Sequence, residues 1–214
     1  MERKKNLKKY IYIILGVMYL VGIAGHSTEV LFPLMITLTP FTLFFTGSLT
    51  LYASGLYKEK SFIIWFLVTY IFTFFSEYVG VKTGLIFGAY EYSSVLGFSL
   101  GDVPLIIGFN WVLVVAGSIY LASLITKNSG IRVPLAGVLA VLFDYFLEPV
   151  AIALDYWTWA DVAVPMQNYI AWFLIASAAA YFYGRLVEKK TDMVFGYYFG
   201  LQLIFFIALQ IFAI

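Results

Sequence analysis

Long runs of apolar residues constrain this chain more than any other feature of its sequence. Hydrophobic residues make up 63% of its 214 residues, charged residues make up only 12%, and the mean hydropathy is +0.93. A run of roughly 17 to 25 apolar residues is enough for a helix to cross the hydrocarbon core of a bilayer. The sequence therefore predicts an all-α, polytopic membrane protein, a bundle of about seven transmembrane helices. The predicted helices are residues 10–25, 33–56, 61–79, 104–126, 133–153, 166–187 and 193–214.

The basic residues predict how this bundle lies in the membrane. We expect one transmembrane helical domain over residues 1–214, whose first nine residues (1–9) form a basic cytoplasmic leader. Cytoplasmic loops of membrane proteins are enriched in Lys and Arg. If the leader is cytoplasmic, twelve of the thirteen Lys and Arg residues fall on that side, and only Lys82 falls opposite. This predicts an integral protein of the cytoplasmic (inner) membrane, with its N-terminus cytoplasmic and its C-terminus outside.

Two acidic residues lie inside the fifth predicted helix. Asp144 and Glu148 are one turn apart on the same helix face, and residues 133–153 contain no Lys, Arg or His to neutralise them. A carboxylate at bilayer depth costs a few kcal/mol or more, so intramembrane acids usually serve a function. The alternative is a pair of protonated acids that only link helices. We favour a catalytic role, because a carboxyl group in an apolar environment is kept neutral and can donate a proton.

Further polar residues are predicted near the same outer end of the bundle. Glu77 ends the third predicted helix, and Asp102 precedes Pro104 at the start of the fourth. Asp102 has an alternative role in capping that helix. Asn110, Trp111 and Asn168 add neutral polar groups, which also bridge helices in many membrane bundles.

Two long connections lie on this acidic side. Residues 80–103 contain five glycines among apolar residues and predict a lid or re-entrant segment between helices 3 and 4. Residues 154–165 carry Trp157 and Trp159, which fit either an interfacial aromatic belt or contacts to a substrate.

Several classes of site are disfavoured by residue type. The chain has no cysteine and one histidine, which excludes thiolate and His-rich metal sites, although a carboxylate site for a hard cation stays open. Motifs for phosphate, dinucleotide and acyl-transfer chemistry are absent. We therefore expect no metal, no cofactor and no nucleic-acid partner. The oligomeric state is not predicted.

Three blocks resemble a known family. EYVGVKTGLIFGAYEY at 77–92, DYFLEPVA at 144–151 and VPMQNYIAW at 164–172 are similar to the membrane carotenoid-biosynthesis family that includes the CruF-type carotenoid 1,2-hydratases. The resemblance runs from about residue 74 to residue 172. It implies addition of water across the terminal C1–C2 double bond of an acyclic (ψ) end group, on an acyclic carotenoid such as lycopene or a monocyclic one such as γ-carotene.

That chemistry implies roles for the candidate residues. Asp144 or Glu148 would be the acid that protonates C2, and Glu77 with the other carboxylate would place or deprotonate water. Asn168 and Asn110 would orient that water. The aromatic faces of Tyr90, Trp111, Trp157 and Trp159 would stabilise the C1 cation, and Asp102 would complete the substrate-binding set. Hydration is redox-neutral, so we expect it to need no cofactor.

Two other functions remain compatible with the sequence. A carotenoid end-group cyclase would form the same cation and quench it with an internal double bond. A proton- or cation-coupled transporter would also carry intramembrane carboxylates. The odd helix count and the absence of internal repeats favour the enzyme over the transporter.

Overall fold

Seven α-helices form the described part of the chain. The computed structural model describes residues 2–161 and 163–214. Its helices are α1 (Glu2–His26), α2 (Phe32–Ser54), α3 (Lys60–Thr83), α4 (Leu105–Ile125), α5 (Ser129–Ala153), α6 (Met166–Leu186) and α7 (Met193–Phe212). A short 3-10 helix (Leu56–Lys58) and four short strands complete the described fold: β1 (Tyr90–Tyr92), β2 (Ser99–Leu100), β3 (Val103–Pro104) and β4 (Trp157–Trp159).

The predicted all-α membrane bundle is confirmed. Six of the helices are long and apolar enough to cross a membrane, judged by length and composition. Helix α6 falls outside this group because it carries Gln167, Asn168 and Arg185 near its ends. The bounds differ most at the start of α1, which begins at Glu2 within the predicted basic leader. Helix α5 begins four residues earlier than predicted, at Ser129.

Helix α4 is the central element of the bundle. It packs against α2, α3, α5, α6 and α7, and it has more fully buried residues than any helix around it. Small residues allow the close approach, as is usual between membrane helices. A Cβ atom at Gly117 of α4 would lie 2.7 Å from the Cβ of Phe199 and 2.9 Å from the carbonyl oxygen of Phe195, both on α7. This glycine therefore sets the α4–α7 distance.

The connection after α3, predicted as a lid or re-entrant segment, forms short strands. Helix α3 continues four residues beyond its predicted end and stops at Gly84, whose positive φ of 67° suits glycine. Strand β1 then pairs antiparallel with β4, with Tyr90 opposite Trp159 and Tyr92 opposite Trp157, while β2 pairs with β3. The two long acidic-side connections are thereby joined in one small sheet next to α5.

We expect Gly117→Ala to destabilise the bundle, because the added methyl group overlaps α7. Overpacking of this kind lowers the free energy of unfolding by about 1–3 kcal/mol. Gly200→Ala, at a helical glycine with open space around its Cβ position, is the matched control and should leave stability unchanged or slightly higher. Thermal unfolding of both purified variants in detergent measures the difference. Equal melting temperatures would show that α4 and α7 are not held at this distance.

Candidate active site

Three carboxyl groups line one small chamber at the end of the bundle that carries the β1–β4 sheet. They are Glu77 of α3 and Asp144 and Glu148 of α5, and all three side chains are buried. The chamber has a volume of about 40 Å³. The remaining lining residues are mainly aromatic or amide side chains: Phe87, Tyr90, Tyr92, Ile107, Asn110, Trp111, Leu147, Trp157, Trp159, Asn168 and Trp172. The structure thus brings together nine of the ten residues predicted from the sequence.

Asn168 links the two carboxyl groups of α5. Its Nδ2 donates to Oδ2 of Asp144 at 2.6 Å and lies 3.4 Å from Oε1 of Glu148. The i, i+4 spacing stacks both acids on one face of α5, and α6 packs against that face. Oδ1 of Asp144 has no hydrogen-bond partner among the described residues. Asp144 therefore keeps one oxygen free within the chamber wall.

Glu148 is held by two indole groups from β4. Nε1 of Trp157 and Nε1 of Trp159 donate to the same oxygen, Oε2, at 3.0 and 2.9 Å. Residues two apart in a strand face the same side, so the Trp-x-Trp spacing directs both indoles at one carboxylate. This favours contact with the chamber over the aromatic-belt interpretation of these tryptophans.

Glu77 accepts three hydrogen bonds from neutral donors. The hydroxyl groups of Tyr90 and Tyr92 donate to Oε2, the latter at 2.8 Å, and Nε1 of Trp111 donates to Oε1 at 2.7 Å. Burial raises the pKa of Tyr90 and of Tyr92 well above the ordinary value for a phenol, with the negative charge of Glu77 adding to the effect. Both tyrosines therefore remain protonated donors. Trp111 also stacks on Trp172, with ring centroids 3.7 Å apart.

The chamber combines acidic groups with neutral donors. Its lining residues in the described chain include no Lys, Arg or His. Glu77 and Glu148 each accept from three donors, a pattern that stabilises the ionised form, whereas Asp144 accepts from one amide. Chemically, Asp144 is the carboxyl group best suited to carry a proton, beside two that accept more hydrogen bonds.

The prediction that Asp102 contributes to this site was wrong. Asp102 is exposed, has a positive φ of 71° in the β2–β3 turn, and forms an ion pair with Lys82 at the surface. Its capping role was also wrong, since the N-cap of α4 is Pro104 and no side chain caps it. The tight turn directs the Asp102 side chain away from the chamber.

Four aromatic or polar residues of the site were missed, besides the aliphatic Ile107 and Leu147. Tyr92, Phe87 and Trp172 line the chamber, and Gln202 of α7 donates from Nε2 to Oδ1 of Asn110 at 3.2 Å. Tyr92 lies two residues after Tyr90, so strand alternation was the available signal. Trp172 lies one turn after Asn168 on α6, which was a weaker helical signal.

Comparison with known proteins identifies the family. Residues 37–214 match the family described as "Carotenoid biosynthesis protein". The chain belongs to the carotenoid biosynthesis protein family. This confirms the resemblance predicted from the three motifs.

A curated relative carries a more specific description. "Bisanhydrobacterioruberin hydratase" of Haloarcula japonica is 33% identical over 117 residues, which cover 51% of this chain and 40% of the relative. The match therefore spans less than half of that protein's length. No solved structure gives a significant match to the chain.

We expect Glu77→Leu to destabilise the fold, because it leaves three buried donors without an acceptor. The expected loss of unfolding free energy is at least about 2 kcal/mol. Asp102→Asn, which alters an exposed surface pair, should stay within about 0.5 kcal/mol of the parent. Thermal unfolding in detergent compares the two. A Glu77→Leu protein as stable as the parent would mean that these hydrogen bonds do not hold the chamber together.

Proposed function

We propose that this protein is a carotenoid 1,2-hydratase, which adds water across the terminal C1–C2 double bond of an acyclic end group. The observation that carries the proposal is the buried acidic chamber, in which Asp144 adjoins two carboxylates held by neutral donors. The family membership supports a carotenoid as the substrate. The description of the curated relative supports hydration as the reaction. Acyclic and monocyclic carotenoids both carry the required ψ end.

Asp144 is the proposed acid. It has the fewest donors of the three carboxyl groups, and its Oδ1 has no partner within the described part of the chain, so a proton on this oxygen can be given to a substrate. Transfer of that proton to C2 uses the electron pair of the C1–C2 double bond and leaves a tertiary cation at C1. Protonation by a carboxyl group kept neutral through burial is a known route to acid catalysis near neutral pH.

The surroundings of Asp144 are suited to stabilise the cation at C1. The carboxylates of Glu77 and Glu148 supply negative charge, and the rings of Tyr90, Trp157 and Trp159 supply π faces. Charge stabilisation of this kind is strong where water is mostly excluded and the groups are already oriented. The hydrogen bonds from Trp157 and Trp159 hold Glu148 in place before substrate arrives.

Water capture completes the reaction. The oxygen of a water molecule bonds to C1, and one of its protons passes to the Glu148 carboxylate, giving a tertiary alcohol. The amide groups of Asn168, Asn110 and Gln202 are suited to orient that water. The proton gained by Glu148 returns to Asp144 through solvent or through the next water, so the cycle is balanced and redox-neutral.

An end-group cyclase is the second candidate, since it begins with the same protonation. The amide-rich wall around Asn168 favours hydration, because a cyclase benefits from excluding water from the cation. The two activities give products of different mass.

The decisive experiment is expression of the protein in bacteria that accumulate lycopene, followed by chromatography and mass spectrometry of the pigments. We expect a product heavier by one water, with the chromophore unchanged because the terminal double bond is not conjugated. An isomer of unchanged mass with a shortened chromophore would replace the hydratase proposal by the cyclase. γ-Carotene is the second substrate to be tested. If neither lycopene nor γ-carotene is converted, the hydratase and the cyclase proposals are both rejected.

We expect Asp144→Asn and Glu148→Gln to lower turnover by at least about 10²-fold, the usual contribution of general acid–base catalysis. The amides keep the shape of each side chain but cannot transfer the proton. Asp102→Asn is the matched control, since it also removes a carboxylate at the outer end but leaves the chamber unchanged. Pigment binding should persist in all three. Full turnover in both chamber variants would remove this pair from the mechanism.

We also propose that the protein lies in the cytoplasmic membrane with its N-terminus inside. The cationic residues Lys8 and Lys189 pair with acids at one end of the bundle, Lys8 with Asp192 at 2.7 Å and Lys189 with Glu59 at 2.5 Å. The chamber lies toward the opposite, less basic end. This orientation follows the enrichment of Lys and Arg on the cytoplasmic side.

A further inference from the structure

A second cavity lies beside the acidic chamber and is strongly apolar. It has a volume of about 320 Å³ and lies between α1, α2 and α7. Side chains from all three helices form its wall, among them Val17, Val21, Leu38, Phe41 and Phe205. We call this cavity the α1–α2 groove.

The groove adjoins the chamber, and the two spaces share part of their walls. Ile107, Asn110, Leu147 and Trp157 line both spaces. Asn110, which is hydrogen-bonded to Gln202, lies in the wall shared by the groove and the chamber. A molecule lying in the groove would therefore present one end to the carboxyl groups.

The other end of the groove opens on the lipid-facing surface. Val21 of α1 is 58% exposed and Leu38 of α2 is 38% exposed, and both line the groove. Helices α1 and α2 are also the least buried of the six candidate membrane spans. The opening thus lies between two peripheral helices at membrane depth, where an apolar molecule can pass without crossing water.

We propose that the α1–α2 groove binds the conjugated chain next to the reacting end of a carotenoid, which enters sideways from the bilayer. The proposal rests on the proposed function for the identity of its ligand. A polyene is rod-shaped and lacks hydrogen-bonding groups, so it suits an apolar groove that ends at a polar chamber. Because the groove is open to lipid, the distant end of the carotenoid remains in the bilayer.

A paired set of variants tests the groove. Val21→Phe with Leu38→Phe places two phenyl rings at its mouth, whereas Leu20→Phe with Leu34→Phe places two phenyl rings at exposed positions on the same helices that do not line it. Trp157 lines the groove, and a bound polyene should quench tryptophan fluorescence. Quenching by lycopene in lipid nanodiscs therefore reports binding without requiring turnover.

We expect the mouth variant to bind lycopene at least about tenfold more weakly than the parent, because two added rings overpack the binding site. The control variant should bind lycopene with the affinity of the parent. Unchanged binding and turnover in the mouth variant would overturn the proposal. If the parent binds lycopene, loses that binding in the mouth variant, and forms no hydrated product, the groove stands and the hydratase proposal fails. The two proposals are thereby separated.

Chain length provides a second test. Acyclic carotenoids that share the ψ end but differ in total length should be bound by the parent with affinities within about threefold, since the part of the chain beyond the groove makes no contact. A strong dependence on length would mean that the protein encloses the whole molecule and would contradict an open groove.

Discussion

Neutral hydrogen-bond donors make this fold possible, because they hold three carboxyl groups inside a membrane bundle without a cation in the chamber lining. Indoles of Trp111, Trp157 and Trp159, phenols of Tyr90 and Tyr92, and the amide of Asn168 supply the bonds. A Lys or Arg partner would stabilise the same carboxylates more strongly, but it would also hold them in salt bridges. Neutral donors stabilise the charge and still leave proton transfer available.

The positions of the central acids were predictable from the sequence for a physical reason. Asp144 and Glu148 interrupt a long apolar run, and the helical period places them on one face whatever their neighbours are. Trp157 and Trp159 were recognised as candidates, but their pairing on one face of a strand was not predicted. The helix bounds followed hydropathy and were least accurate where the basic leader continues into α1, because helices extend beyond the hydrocarbon region into water.

The long-range contacts were not predictable. Strands β1 and β4 pair although helices α4 and α5 lie between them in the sequence. Hydropathy carries no information on which loops meet in space. Asp102 was instead assigned to the site wrongly. Its position shortly before Pro104 suggested a place near the chamber, but its left-handed backbone conformation directs the side chain to Lys82. The stacking of Trp172 on Trp111 likewise depends on how α4 and α6 pack.

The β1–β4 sheet links the two ends of the chamber. Strand β1 carries the phenols that hold Glu77, and strand β4 carries the indoles that hold Glu148. A shift in the register of this ribbon would move the donors of both glutamates at once. The two connections therefore act as one structural unit. Redesign of the chamber for another end group would have to exchange both connections together, because either strand alone would lack the strand with which it pairs.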